Sequence, residues 1–104
     1  MVVAFDFDGV FDSIKMQGLI KKLKAERNEI WVVTARSDNE YNKKIVEAFL
    51  GKLGISKSSV IYAGGKRKVD FIEAINADIY IDNITDELSD INDSTNTIAV
   101  LFKN

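Results

Sequence analysis

Two aspartates near the start of the chain are the residues best suited to catalysis. Asp6 and Asp8 follow the apolar run Val2–Phe5 and precede Gly9. In a regular strand alternate side chains share a face, so both carboxylates would lie on one side where a buried strand ends. Two like charges held close together need a cation or a proton between them. The pattern indicates a Mg²⁺-assisted nucleophile and acid–base pair, and a strand ending in an Asp-Gly turn is the open alternative.

A second polar group follows the apolar run that ends at Val33. Thr34 and the backbone amides after it, at Ala35 and Arg36, could hold a phosphate where a strand leads into a helix. The alternative is a threonine that ends a strand, with Ser37 or Asp38 capping the next helix.

Two more groups lie further along the chain. The basic segment Lys66–Lys68 precedes a helical pattern, where positive charge opposes the helix dipole, so a bound anion or a solvated loop offset by Asp70 would explain it. Asp82 ends another apolar run, and Asp86 would share its face if the chain turned into a helix there. A metal site and an Asp-Asn turn before an acidic helix start both fit these two aspartates.

The composition excludes several classes of chemistry. The chain has 104 residues, which predicts a single domain over 1–104, and its 46% hydrophobic and 29% charged residues are typical of a globular protein. It contains no Cys and no His, which excludes thiolate catalysis, Ser-His triads and most zinc sites. The net charge of −2 indicates no nucleic-acid or membrane surface. Without a signal-like start or a long apolar stretch, a cytoplasmic protein with no membrane partner is expected.

Alternating strands and helices must position these residues. Five continuous apolar runs have the composition of parallel strands buried on both faces: Val2–Phe5, Ile30–Val33, Val60–Ala63, Ile79–Ile81 and Thr97–Phe102. Between them lie three stripes with helical period, and they contain Met16 to Leu23, Val46 to Leu53 and Val69 to Ile75. Asp12 or Ser13 would cap the first helix, Gly54 would end the second, and a helical turn could follow Thr85.

This alternation predicts an α/β fold. We expect a three-layer α/β/α sandwich around a five-stranded, parallel, Rossmann-like sheet with right-handed crossovers. Each candidate group then falls at the carboxyl end of a strand or in the loop after it, where such folds bind ligands.

In their order along the chain, these residues resemble the four motifs of the haloacid dehalogenase (HAD) superfamily of phosphohydrolases. The first motif is Asp6–Phe11, the second contains Thr34, the third Lys68, and the fourth Asp82 with Asp86. The resemblance covers essentially the whole chain. The family often has a second acid directly after the first in its fourth motif, where this chain has an asparagine, and Lys66 competes with Lys68 for the third.

The resemblance implies a catalytic role for four residues and Mg²⁺ as the cofactor. Asp6 would be the nucleophile that forms an aspartyl-phosphate, and Asp8 the general acid–base. Thr34 would bind the phosphoryl group, and Lys68 would neutralise its charge and restrain Asp6. Phosphoryl transfer depends on positioning and charge neutralisation, which these residue types supply.

The resemblance also implies a set of metal and substrate contacts. Asp6, the backbone carbonyl of Asp8, and Asp82 would hold the metal, with Asp86 supporting a coordinating water. The phosphate would be bound by amides near Gly9 and Ala35. Arg36 and Lys66 would contact the substrate beyond the phosphate, although Arg36 could equally form a surface ion pair.

The segments between the motifs are too short for the cap domain that many family members have. Neither the segment between the first motif and the second strand nor the segment between Thr34 and Lys68 leaves room for one. An open site suggests a bulky phosphate ester such as a polynucleotide end, an oligomer that supplies a lid, or a small phosphate taken with low selectivity.

The alternatives to an enzyme are a non-catalytic phosphate-binding module and a receiver signalling domain. The receiver is disfavoured because here the threonine precedes the lysine and the last acid follows it.

Overall fold

The chain alternates strands and helices around one sheet, and the computed structural model describes residues 1–103. The strands are β1 (Val2–Phe5), β2 (Glu29–Thr34), β3 (Val60–Tyr62), β4 (Ile79–Asp82) and β5 (Ile98–Leu101). The helices are α1 (Ile14–Ala25), α2 (Glu40–Lys52), α3 (Val69–Ala74) and α4 (Leu88–Ser94). A kinked turn lies at Phe7–Phe11, with non-helical backbone at Asp8 and Gly9, and a short 3₁₀ turn lies at Lys57–Ser59. None of the helices in this part of the chain has the length and apolar character needed to cross a bilayer.

The five strands form a single parallel sheet in the order β3-β2-β1-β4-β5. This confirms the predicted α/β fold and its parallel sheet. The chain first builds outward from β1 to β3, then returns to the centre and builds outward on the other side through β4. The carboxyl ends of β1 and β4 therefore flank the point at which the connections change direction, where such sheets bind ligands.

Helices cover both faces of the sheet, which gives the three layers. On one face α1 and α2 pack on β1 and β2 through a core that includes Phe5, Phe11, Ile20, Val32 and Leu50. On the other face α3 and α4 pack through a smaller core that includes Ala4, Val33, Ile72, Tyr80 and Ile91. The continuous apolar strands are explained by this arrangement, since successive residues enter opposite cores.

The helix boundaries follow local capping. Ser13 accepts a hydrogen bond from the backbone N–H of Met16 at 3.1 Å and caps α1, as predicted. Neither Ser37 nor Asp38, the caps considered in the alternative interpretation of Thr34, caps α2, because the side chain of Asn39 accepts the N–H of Asn42 at 2.8 Å. The predicted stop at Gly54 is confirmed: α2 ends at Lys52, and Gly54 has a φ of 69°.

The turn after β1 corrects the expected geometry of the aspartate pair. The strand ends at Phe5, and the chain turns through Phe7–Phe11 instead of continuing to Asp8. Gly9 makes this turn possible with a φ of 81°, and a Cβ at this position would collide with the side chain of Asn83. Asp6 and Asp8 are therefore not placed on one side by a regular strand.

Gly9→Ala should destabilise the protein by about 1–3 kcal/mol, because alanine adds both the strain of a positive φ and the collision with Asn83. The matched control is Gly18→Ala, in the middle of α1, where an added Cβ meets nothing within 4 Å. It should stabilise by about 0.5–1 kcal/mol. Urea unfolding of both variants checks the pair, and equal effects of the two substitutions would contradict the assignment.

Candidate active site

A buried lysine joins two carboxylates at the carboxyl edge of the sheet. Lys68 precedes α3, Asp6 follows β1 and Asp82 ends β4, and each of the three residues is only 5% exposed. The Nζ of Lys68 donates to Asp6 Oδ1 at 2.7 Å and to Asp82 Oδ2 at 3.4 Å. Because β1 and β4 are neighbours in the sheet, residues far apart in sequence form one charged cluster.

Tyr80 and Asn83 complete this cluster. The hydroxyl of Tyr80 accepts from Lys68 Nζ at 2.9 Å and donates to Asp82 Oδ2 at 2.6 Å. With its amide nitrogen turned toward the carboxylates, Asn83 donates to Asp82 Oδ1 and to Asp6 Oδ2, each at 3.2 Å. The three hydrogens of the Lys68 ammonium thus have three oxygen acceptors, which satisfies this buried cation.

Burial and local charge push the pKa values of the two carboxylates in opposite directions. Burial raises the pKa of Asp6 from its ordinary 3.8 to about 6, although Lys68 attracts the carboxylate and lowers it. Burial also acts to raise the pKa of Asp82, but the hydrogen bond from Tyr80 and the charge of Lys68 outweigh burial and hold that pKa below its ordinary value. One lysine does not neutralise two carboxylates, so the cluster keeps a net negative charge.

Asp8 belongs to a second, more open pair. Arg36 donates two hydrogen bonds to Asp8, from Nε to Oδ2 at 3.0 Å and from Nη2 to Oδ1 at 2.8 Å. The third arm of Arg36, Nη1, donates to Asn42 Oδ1 at 2.9 Å, and the guanidinium lies 5.5 Å from the ring centre of Phe7. The Asp8 side chain is 56% exposed and that of Arg36 26% exposed. The structure therefore confirms the ion pair that the sequence left open for Arg36.

The end of β2 is tied to the loop after β3. Thr34 is fully buried, and its Oγ1 accepts the backbone N–H of Arg36 at 3.1 Å. The N–H groups of Gly64 and Gly65 donate to the carbonyls of Arg36 and Ala35 at 3.1 and 3.0 Å. Thr34 thus fixes the turn that carries Arg36, while Ala35 is exposed at the surface of the site.

The remaining predicted residues lie at the rim. Lys66 is exposed in the loop before α3, so Lys68 is the lysine that contacts Asp6. Asp86 is exposed in the turn before α4. A helical turn does follow Thr85, whose carbonyl accepts the N–H of Leu88 at 3.2 Å. The condition for Asp86 to share the face of Asp82 is not met, because α4 begins only at Leu88.

Glu87 is a site residue that the sequence analysis missed. Its Oε1 accepts the backbone N–H of Lys68 at 2.6 Å, at the start of α3. A bound anion is one explanation for the basic segment at this helix start. The Glu87 carboxylate supplies part of the negative charge from within the protein. The two partners are 19 positions apart in the sequence, and nothing in the local sequence links them.

Asp6 and Asp82 could hold a Mg²⁺ ion that takes its other ligands from outside the protein. A donor group, the Asn83 amide, already bridges one oxygen of Asp6 and one of Asp82, which marks a point flanked by two carboxylates. Over residues 1–103 no group of three or more Asp, Glu, His or Cys side chains is arranged to hold a metal. Mg²⁺ is commonly bound by one or two carboxylates together with water and substrate phosphate, so two are enough.

Comparison with known proteins adds one distant likeness. No family model and no curated protein matches the sequence. Among solved structures, the hypothetical protein PH1952 from Pyrococcus horikoshii OT3 is similar over 78% of this chain, with 23% identity and a TM-score of 0.48. The chain spans 33% of that protein's length. A likeness this distant says nothing about function.

Tyr80→Phe should lower the free energy of unfolding by about 1–3 kcal/mol, because it leaves Lys68 and Asp82 each short of a buried hydrogen-bond partner. Tyr62→Phe is the matched control, since the buried hydroxyl of Tyr62 has no hydrogen-bond partner among the described residues. Its removal should leave stability unchanged or higher. Chemical unfolding measures both, and an equal loss in the two variants would refute the bridging role of Tyr80.

Asp6→Asn should change how stability depends on pH. A raised pKa means that the folded state binds the Asp6 proton more tightly than the unfolded chain, so this stabilisation is greatest below pH 3.8 and is lost as the pH rises to about 6. Relative to the wild type, the variant should therefore gain about 2–3 kcal/mol across that window, at 1.36 kcal/mol per pKa unit. Thermal or urea unfolding in EDTA between pH 4 and 7 measures it, with exposed Asp93→Asn as the control. Parallel curves for wild type and Asp6→Asn would contradict the assignment.

Proposed function

We propose that this protein is a Mg²⁺-dependent phosphohydrolase of the HAD superfamily that acts through an aspartyl-phosphate on Asp6. The observation behind the proposal is the buried cluster in which Lys68 joins Asp6 to Asp82 at the switch point of the sheet. The order of the motif residues along the strands supports the same class. The substrate would be a phosphate monoester, either a small molecule or a polynucleotide end.

Asp6 is the nucleophile in this proposal. Lys68 fixes its Oδ1, and Oδ2, to which the Asn83 amide donates at 3.2 Å, is the oxygen that attacks phosphorus. The bond from phosphorus to the leaving oxygen breaks as the bond to Asp6 forms, and Asp8, after taking up a proton from solvent, gives that proton to the leaving alcohol. Asp8 then takes a proton from the water that attacks the same phosphorus, so that inorganic phosphate leaves and the Asp6 carboxylate is restored.

The charge on the phosphoryl group is met by several groups of this chain. Lys68 acts through its charge, and its 3.4 Å bond to Asp82 is the longest of its three and the easiest to exchange. The amides near Gly9 and Ala35 are donors for the phosphoryl oxygens, and Thr34 holds the turn that carries Ala35. The N–H of Gly9 donates to Asp12 Oδ1 at 2.8 Å, so this amide would exchange that bond for a phosphoryl oxygen when substrate binds.

Asp6, the backbone carbonyl of Asp8, and Asp82 would hold Mg²⁺, with exposed Asp86 able to support a coordinating water. When bound, Mg²⁺ would offset the excess negative charge of the cluster and the charge of the phosphate. Because Asn83 stands where many family members have a second acid, fewer protein charges are available to it here.

A non-catalytic phosphate-binding module is the second candidate, favoured by one observation. Both oxygens of Asp8 accept bonds from Arg36, so the acid–base group is engaged elsewhere. A protein that only binds phosphate would not need to release Asp8 from Arg36.

Asp6→Asn should lower phosphate release from an aryl phosphate and from a 3′-phosphorylated oligonucleotide by several orders of magnitude, since the amide cannot act as the nucleophile. Asp8→Asn should also cripple turnover, because no proton reaches the leaving oxygen. EDTA should abolish the wild-type rate, and Mg²⁺ should restore it.

Asp93→Asn, an exposed aspartate on α4, is the control and should keep the wild-type rate. Full activity in both Asp6→Asn and Asp8→Asn would refute the mechanism. If the wild type releases no phosphate but binds beryllium fluoride, which mimics an aspartyl-phosphate, the binding module is favoured.

A further inference from the structure

The ion pair between Arg36 and Asp8 lies at the proposed active site and includes one of its proposed catalytic residues. Asp8 is the proposed acid–base, yet two guanidinium nitrogens hold both of its oxygens at 2.8 and 3.0 Å. To approach a leaving oxygen, Asp8 must release at least one of these bonds. An ion pair with an exposed carboxylate contributes little free energy. An anion that binds Arg36 more strongly can therefore displace Asp8 from it.

Arg36 has other contacts that would hold it in place when the pair opens. Nη1 is bound to Asn42, whose own amide donates to the carbonyl of Ser37 at 2.9 Å, and Phe7 lies against the guanidinium face. The backbone N–H of Arg36 is fixed by Thr34. After release of Asp8, the fork of Nε and Nη2 remains at the rim, in the form that binds phosphate with two bonds.

The rim offers a second positive charge. The loop that contains Lys66 is tied to the Arg36 turn through the N–H groups of Gly64 and Gly65, and Lys66 is exposed. Arg67, by contrast, is paired with Asp90 on α4. Two cations on adjoining loops favour a dianion or a phosphate over a lone carboxylate.

We propose that Arg36 couples substrate choice to catalysis: a second phosphate on the substrate, next to the one that is removed, takes Arg36 from Asp8 and frees Asp8 for proton transfer. This inference rests on the proposed function. The substrate class it names is a phosphomonoester that bears a neighbouring phosphate, found both at a polynucleotide end and in a nucleoside bisphosphate. Arg36 is then a specificity residue, and a substrate with one phosphate leaves it bound to Asp8.

The test uses two substrates that differ by one charge. Both are 3′-phosphorylated dinucleotides, one with the ordinary phosphodiester link and one with a neutral methylphosphonate link. The wild type should prefer the charged substrate in kcat/KM by about tenfold or more. Arg36→Met should remove the preference, and Arg36→Lys should restore only part of it. A nucleoside 3′,5′-bisphosphate provides a third arm, and a rate above the charged dinucleotide would assign the free nucleotide as the source.

Arg67→Met, which removes an arginine from another exposed ion pair, is the matched control and should keep the preference. Equal rates of the wild type on the two dinucleotides would overturn the proposal. So would an unchanged preference in Arg36→Met, or an equal loss in Arg67→Met, which would reflect general surface charge.

Binding separates this inference from the proposed function. In the Asp6→Asn variant with Mg²⁺, the NMR signals of the Arg36 Nε–H and the Asp8 carboxyl carbon should shift with the charged dinucleotide and not with the neutral one. If this is seen while the wild type hydrolyses nothing, the hydrolase proposal fails and the exchange at Arg36 stands. No difference between the two ligands would overturn the exchange.

Discussion

The candidate site depends on one buried cation. Lys68 is 5% exposed and reaches three oxygen acceptors, two of them on carboxylates. A buried ammonium without partners would be strongly unfavourable, and a buried carboxylate likewise. The lysine and the ends of β1 and β4 therefore stabilise one another, and the start of α3 is fixed relative to the sheet. Glu87 strengthens this by binding the backbone of Lys68.

The same cluster leaves a negative charge unbalanced. Two carboxylates face one ammonium. Burial raises the pKa of Asp6 to about 6, which shows that the charged form of this carboxyl is unfavourable here. A protein selected only for stability would gain from removing one carboxylate. A bound cation would offset this excess negative charge, which is the use that the proposed function gives to the second carboxylate. The bridge made by Asn83 between the two carboxylates lies at the point where this charge is concentrated.

Most of the fold could be predicted from the sequence, because strands buried on both faces must be apolar throughout and such runs stand out. The edge of the sheet at which Asp6, Lys68 and Asp82 meet followed from the parallel fold. Tyr80 was missed although it lies two residues before Asp82 and shares its face, which is a signal that strand periodicity provides. Glu87 had no such signal, because its bond to Lys68 depends on how α3 and α4 pack.

The first motif was misjudged in a way that bears on mechanism. A regular strand would have given Asp6 and Asp8 similar surroundings, but the turn permitted by Gly9 separates them. Asp6 enters a buried cluster fixed by Lys68, and Asp8 remains 56% exposed beside Arg36. A nucleophile has to be rigid and aligned, whereas an acid–base group has to exchange protons with water and move between partners. The turn therefore gives two identical side chains different environments, which is what the two roles proposed for them would require.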